Sequence, residues 1–120
     1  MRFALFALAS LVLTGCSDSQ PASEMTTDQQ GAAREAYKKG NCTMCHGGEG
    51  QGATTGPKLR GLTANWDRAG LRAFLADPAS ALASDARLKE QAKQYMMPMQ
   101  APSNLTDEEL DLLAGLLLTW

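Results

Sequence analysis

The sequence has one histidine, three cysteines and few aromatic residues, and it lacks any cluster of basic side chains. Among 120 residues, 11 are Lys or Arg and 13 are Asp or Glu, so the formal net charge at pH 7 is −2. Without a basic block to follow a phosphate backbone, we expect no nucleic-acid partner. Internal repeats and the alternating pattern of a β-strand are also missing. The length and these absences favour one all-α domain.

The first fifteen residues have the pattern of an export signal. Arg2 precedes an apolar stretch from Phe3 to Leu13, and Thr14-Gly15 lead to Cys16. This stretch is too short to span a bilayer as a permanent helix. Its end, Leu-Thr-Gly-Cys, resembles the lipobox of bacterial lipoproteins. The resemblance implies that the signal, residues 1–15, is removed and that Cys16 is lipidated.

Residues 16–28 are predicted to form a lipidated flexible tether. They are mostly polar, and such a composition cannot bury enough apolar surface to offset the entropy lost on ordering. We therefore expect a protein of the bacterial cell envelope that is held at a membrane by lipid and faces the periplasm. The position after Cys16 is Ser17 rather than aspartate, and lipoprotein sorting rules then favour the outer membrane over the inner membrane.

About four short helices are predicted from apolar spacing and from residues that start or stop a helix. The first three cover about residues 27–39, 65–77 and 85–95. The second must stop near Asp77, because Pro78 disfavours helix in the residue before it. Thr106 followed by Glu109 forms a capping box, which marks the start of the fourth helix.

The string Cys42-Thr43-Met44-Cys45-His46 is the C-x-x-C-H signature of covalent haem c attachment. Its spacing lets both sulfurs reach vinyl groups on one edge of the porphyrin, with the next residue beneath the iron. A thioredoxin-like dithiol would need a βαβ context, and a structural zinc site would need four ligands. We therefore predict one covalent haem c on Cys42 and Cys45, with His46 as an axial ligand. A haem would also supply apolar bulk that the few aromatics do not, so the haem-free chain should be largely unfolded.

Residues 33–120 resemble monohaem class I cytochrome c, a small helical fold wrapped around one haem. The resemblance rests on Tyr37 before the C-x-x-C-H string, Gly56-Pro57 after a glycine-rich loop, Asp77-Pro78, a Met-Pro segment and the run from Leu105 to Glu109. It implies that the first and last helices cross and that the Pro57 carbonyl accepts a hydrogen bond from His46. It also suggests that Trp66 supports the haem pocket. We thus expect a domain over residues 29–120.

The sixth iron ligand is predicted to be a methionine, because His46 is the only histidine. Met1, Met25 and Met44 fall in the signal, the tether and the C-x-x-C-H string, which leaves Met96, Met97 and Met99. The Met-Pro dipeptide usual in the family favours Met97 slightly, whereas related domains with Pro-Met in this loop favour Met99. At least one of the three serves only to fill space in the core.

Ligation by His and Met leaves no open position for a substrate, so the resemblance implies a single-electron carrier rather than an enzyme. Its expected partners are redox proteins, and no small-molecule substrate is expected. Two alternatives remain open at this point. One is a five-coordinate gas-binding or peroxidase-like haem protein. The other is a fixed haem subunit of a larger oxidoreductase, such as a thiosulfate-oxidising complex.

Overall fold

The computed structural model describes residues 24–120. The predicted signal, most of the predicted tether and Cys16 lie outside the described residues. The described chain contains six α-helices and a short 3₁₀ helix, Leu62–Ala64. The α-helices are α1 Thr27–Lys39, α2 Thr43–His46, α3 Arg68–Ala76, α4 Pro78–Ser84, α5 Ala86–Ala92 and α6 Asp107–Leu117. No β-strand forms within residues 24–120, and the predicted all-α fold is confirmed.

The core lies where α6 packs against α1 and α3. The apolar side of α6 supplies Leu110, Leu113 and Leu117 at helical spacing, and α1 supplies Tyr37. Ion pairs tie α3 to α6 at the edge of this core, the shorter of them from Arg68 to Asp111 at 2.6 Å. In the described part of the chain, no helix is both long and apolar enough to cross a membrane.

The predicted capping box at the start of α6 is present and also reaches α1. The Thr106 hydroxyl accepts a hydrogen bond from the Glu109 backbone N–H at 3.2 Å, and the Glu109 carboxylate accepts one from the Thr106 N–H at 2.8 Å. The same carboxylate accepts from Lys39 Nζ at 2.8 Å. Glu109 therefore links the C-terminal end of α1 to the N-terminal end of α6.

Replacing Glu109 with Gln should reduce the dependence of folding stability on acidic pH. The hydrogen bond from Lys39, followed by that from the Thr106 backbone, lowers the pKa of Glu109 below its ordinary value. A carboxyl with a lowered folded-state pKa stabilises the fold above its unfolded pKa and loses that contribution as pH falls through the folded value. We expect the loss of stability on acidification, followed by urea unfolding, to be smaller in Glu109→Gln. Glu108→Gln is the control, and equal pH profiles for the two variants would contradict the prediction.

Two helices, α2 and α4, were not predicted. The first lies within the C-x-x-C-H string, and the second begins at Pro78, which was expected only to end a helix. Asp77 ends α3 and also caps α4, because its carboxylate accepts hydrogen bonds from the Ser80 N–H at 3.1 Å and the Ser80 hydroxyl at 2.6 Å. Pro78 then occupies the first turn, where its missing N–H costs nothing. The expectation of about four helices was therefore too low.

Helix boundaries differ from prediction by a few residues, and a cap explains each start. The second predicted helix starts at Arg68 rather than near residue 65, because the Asp67 carboxylate accepts a hydrogen bond from the Gly70 N–H at 2.7 Å. The start of α1 at Thr27 follows a capping box formed by Thr26 and Gln29. The last two residues of the predicted tether segment thus belong to the first turn of α1.

Candidate haem-binding site

The C-x-x-C-H string forms a single helical turn directly after α1. Asn41 takes a left-handed φ of 57°, which lets the chain change direction between the two helices. Within α2 the His46 N–H donates to the Cys42 carbonyl at 2.9 Å. Residues three and four apart lie on the same side of such a turn. Cys45 and His46 therefore share a side with Cys42, as attachment of one flat ring through both sulfurs requires.

The two cysteines form no disulfide and have different surroundings. Cys45 is exposed, whereas Cys42 is partly buried and packs against the core. Burial raises the pKa of Cys42 to about 11. A redox dithiol needs the opposite shift, toward the thiolate. Among residues 24–120 no group of three or more Cys, His, Asp and Glu side chains is arranged to hold a metal ion.

His46 is buried and held by one hydrogen bond. Only 8% of its surface is exposed, and Nδ1 lies 2.7 Å from the Pro57 carbonyl oxygen. A carbonyl can only accept, so Nδ1 carries a proton, and in the neutral ring the lone pair is then on Nε2. This is the tautomer in which Nε2 can ligate a metal, and a second hydrogen bond on Nδ1 is how proteins orient such a ligand. The contact that the resemblance implied is present.

The glycine-rich loop between residues 47 and 57 packs tightly against α2. A Cβ atom on Gly56 would lie 2.7 Å from the carbonyl oxygen of Cys45, which is closer than real Cβ contacts come. The Gly52 N–H donates to the His46 carbonyl at 2.8 Å. Glycine at position 56 is therefore needed to bring Pro57 within hydrogen-bond distance of the histidine ring.

Tyr37 supports the same loop from inside the core. Its side chain is 2% exposed, its hydroxyl donates to the Gly47 carbonyl at 2.7 Å, and its ring meets the edge of Trp120 at a centroid distance of 5.1 Å. Burial raises the pKa of Tyr37 to about 12, so the hydroxyl stays a donor. Sequence reasoning noticed Tyr37 but gave Trp120 no role, because nothing in the spacing of α6 indicates contact with this loop.

Removing the Tyr37 hydroxyl should destabilise the protein without emptying the core. In Tyr37→Phe the ring stays, but the Gly47 carbonyl loses its partner, which costs about 1–3 kcal/mol of unfolding free energy. Chemical denaturation of the haem-loaded protein measures this. Tyr95→Phe is the matched control, because the Tyr95 hydroxyl makes no hydrogen bond with the described residues. Similar losses in both variants would show that the Gly47 contact contributes nothing.

A protein-family model described as Cytochrome c matches residues 30–120. The chain belongs to the cytochrome c family. Comparison with curated proteins gives no match, and comparison with solved structures gives none. Members of this family bind haem c covalently, so the predicted cofactor is confirmed, and with it the interpretation of the chain as a c-type cytochrome.

The cytochrome keeps apolar area beside its core that a haem could cover. Eight side chains pack against the core yet remain only partly buried: Cys42, Leu59, Leu62, Trp66, Phe74, Met99, Leu105 and Trp120. Their uncovered apolar area, together with the haem-attaching sulfurs and the oriented His46, fits a covalently bound porphyrin. Haem bound there supplies an iron that changes valence by one electron.

Trp66 is partly buried and packs against the core. Its ring centroid lies 5.2 Å from that of Phe74, and the guanidinium carbon of Arg87 also lies 5.2 Å from it. The contacts that the structure records for Trp66 are thus an aromatic neighbour and a cation. Its support of the haem pocket stays a prediction, and Arg87 is a contact that sequence reasoning missed.

The candidate sixth ligands have very different surroundings. Met97 has 72% of its surface exposed and Met96 is fully exposed, whereas Met99 is partly buried and packs against the core. The two candidates thus differ in packing, because Met99 lies against the core and Met97 does not. The identity of the ligand stays a prediction.

Proposed function

We propose that this cytochrome is a single-electron carrier in which His46 and Met99 ligate the haem iron from opposite faces. The observation that supports it most directly is the 2.7 Å contact between His46 Nδ1 and the Pro57 carbonyl. It places a proton on Nδ1 of this buried ring, so that the neutral imidazole has its lone pair on Nε2. A neutral imidazole presented in this way is a haem ligand in many electron-transfer proteins.

Met99 supplies the better second ligand because it already lies against apolar surface. A thioether bound to iron inside a protein must be sheltered from water, and Met99 packs beside the core that Cys42 also contacts. Met97 would have to turn its largely exposed side chain inward to do the same.

A carrier follows from this ligation rather than an enzyme. With His46 and Met99 both bound, the iron has no free position for a substrate, and the protein has little to rearrange when the electron arrives or leaves. The residues of this chain then orient the ligands, exclude water and present the haem to redox proteins. Met/His ligation favours ferrous iron, so a relatively high potential is expected.

Optical spectra of three variants of the holoprotein test this ligation. In Met99→Leu we expect loss of the methionine-to-iron charge-transfer band at the red end of the ferric spectrum. Met97→Leu should keep the band, and Met44→Leu, which changes an exposed methionine elsewhere, is the control. Loss of the band only in Met97→Leu would assign the ligand to Met97. High-spin ferric iron and rapid carbon monoxide binding in the unaltered protein would favour a gas-binding or peroxidase-like protein instead.

We further propose that the carrier is anchored by lipid on Cys16, facing the periplasm and on the outer membrane rather than the inner one. The support is the sequence of residues 1–16, with its apolar stretch and lipobox-like end. Mass analysis of protein extracted from membranes should find acyl groups on Cys16. Cys16→Ser should appear in the soluble periplasmic fraction, and continued membrane attachment of that variant would refute the anchor.

The partners of the carrier are proposed to be redox proteins on the same side of the membrane. Membership of the cytochrome c family supports this class of partner. Purification from mild detergent separates a free carrier from a fixed subunit. A monomer that exchanges electrons with several partners supports the proposal, whereas constant stoichiometry with one oxidoreductase would make the chain a subunit of that complex.

A further inference from the structure

The five methionines of the described chain fall into two groups by exposure. Met96 is fully exposed, Met44 is 75% exposed and Met97 is 72% exposed. Met99 packs against the core, and the sulfur of Met25 lies against Gly115 of α6. Three thioethers are thus open to solvent, and two of them are close neighbours of Met99 in the chain.

Hydrophobic stabilisation of the fold does not explain why positions 44, 96 and 97 carry methionine. An apolar side chain that stays in water on folding removes little surface from it, so it contributes little hydrophobic stabilisation. A thioether is also the apolar side chain that oxidants attack most readily, and exposure sets the order of attack. The placement therefore offers accessible sulfur to small oxidants while Met99 is sheltered.

We propose that Met44, Met96 and Met97 are modification sites that consume peroxide and thereby spare Met99. In each step the sulfur loses two electrons and gains one oxygen atom. Hydrogen peroxide gives up that oxygen and is reduced to water, so one peroxide yields one methionine sulfoxide and one water. The product is reversible by methionine sulfoxide reductases, which makes these positions renewable.

The order of oxidation depends only on exposure, whereas the benefit of sparing Met99 rests on its proposed role as ligand. Oxidation of Met99 would convert an apolar thioether into a polar sulfoxide at a packed position. Oxidation of Met96 or Met97 changes a side chain that already contacts water. The modified carrier should therefore keep its fold and its ferric spectrum.

Peptide mass mapping after limiting peroxide tests the order in the full-length holoprotein. With about one to three equivalents of peroxide per chain, we expect sulfoxide on Met44, Met96 and Met97 before Met25 and Met99. Early sulfoxide on Met25 or Met99 would overturn the inference. If Met97 stays reduced and Met97→Leu also abolishes the charge-transfer band, then the Met99 ligation fails as well. If Met99→Leu abolishes the band and the order is wrong, only the inference fails.

A double variant tests whether the exposed sulfurs protect Met99. Replacing Met96 and Met97 with Leu removes two of three accessible thioethers, so Met99 sulfoxide at limiting peroxide should rise roughly threefold. Loss of the charge-transfer band should increase in parallel. Met25→Leu removes a sheltered methionine and is the matched control, for which no rise is expected. An unchanged yield of Met99 sulfoxide in the double variant would exclude protection.

Discussion

In the double variant Cys42→Ala, Cys45→Ala we expect acid-acetone extraction to remove all haem and the remaining polypeptide to lose its cooperative unfolding transition. Both sulfurs lie on one side of the turn that ends in His46, and no other cysteine occurs among the described residues. Without them nothing holds the porphyrin covalently. The loss of attachment should be complete rather than partial.

The expected loss of folding follows from the unfinished core. Leu59, Leu62, Phe74 and Leu105 are among the side chains that pack against the core yet keep apolar area uncovered. A domain of this size buries a modest share of its surface, so it has little stability to lose. A group that binds only the folded state adds to that stability. Removing haem exposes the apolar area again and removes that contribution.

Met44→Ala is the control for this experiment, because it changes the same helical turn at an exposed position and leaves both sulfurs in place. It should keep covalent haem and a melting curve close to that of the unaltered protein. The measurements are the colour of the acid-acetone pellet and thermal unfolding followed by circular dichroism. A cooperative melt of the haem-free double variant near that of the holoprotein would show that the core is complete without haem.

The second large effect is expected from Gly56→Ala. The added methyl group would lie 2.7 Å from the Cys45 carbonyl oxygen and 3.0 Å from its carbon, and these are backbone atoms that cannot turn aside. The loop must therefore move away from α2 and carry the Pro57 carbonyl with it. We expect a loss of about 1–3 kcal/mol in unfolding free energy, as for other overpacked sites. The hydrogen bond to His46 should lengthen as well.

Gly48→Ala is the matched control in the same loop. A Cβ on Gly48 meets no atom within 4 Å, so its effect should stay within about 0.5 kcal/mol. Denaturation gives the stability, and the nuclear magnetic resonance signals of the His46 ring report the hydrogen bond. Equal stability of the two alanine variants would mean that the loop accommodates a side chain at position 56 without moving.

Local signals predicted the parts of the fold that depend on neighbours in sequence. Thr106 and Glu109 marked the start of α6 because a capping box is complete within four residues. Pro78 was correctly interpreted as ending α3, but its equal suitability for starting a helix was overlooked. Asp77 serves both helices: its backbone N–H donates to the Ala73 carbonyl at the end of α3, and its carboxylate caps the start of α4.

The candidate site was predictable where covalent chemistry fixes the spacing, as for Cys42, Cys45 and His46. It was not predictable where two residues are candidates for the same role, that of the sixth iron ligand. Met97 and Met99 differ by two places in a loop, and only packing against distant core residues separates them. The same limit applies to Trp120, which reaches Tyr37 across the molecule. Such contacts depend on the geometry with which the helices cross, and that geometry cannot be derived from a single sequence.

The acceptor that orients the histidine ring is a main-chain oxygen, that of Pro57. A substitution at position 57 changes the stiffness of the loop, but every amino acid brings the same carbonyl. Substitutions at position 57 therefore leave the acceptor of this hydrogen bond in place. A carboxylate in its place would pull the proton more strongly and favour the oxidised metal. With a main-chain acceptor, the ring keeps the weaker, uncharged kind of hydrogen bond whatever side chain stands at position 57.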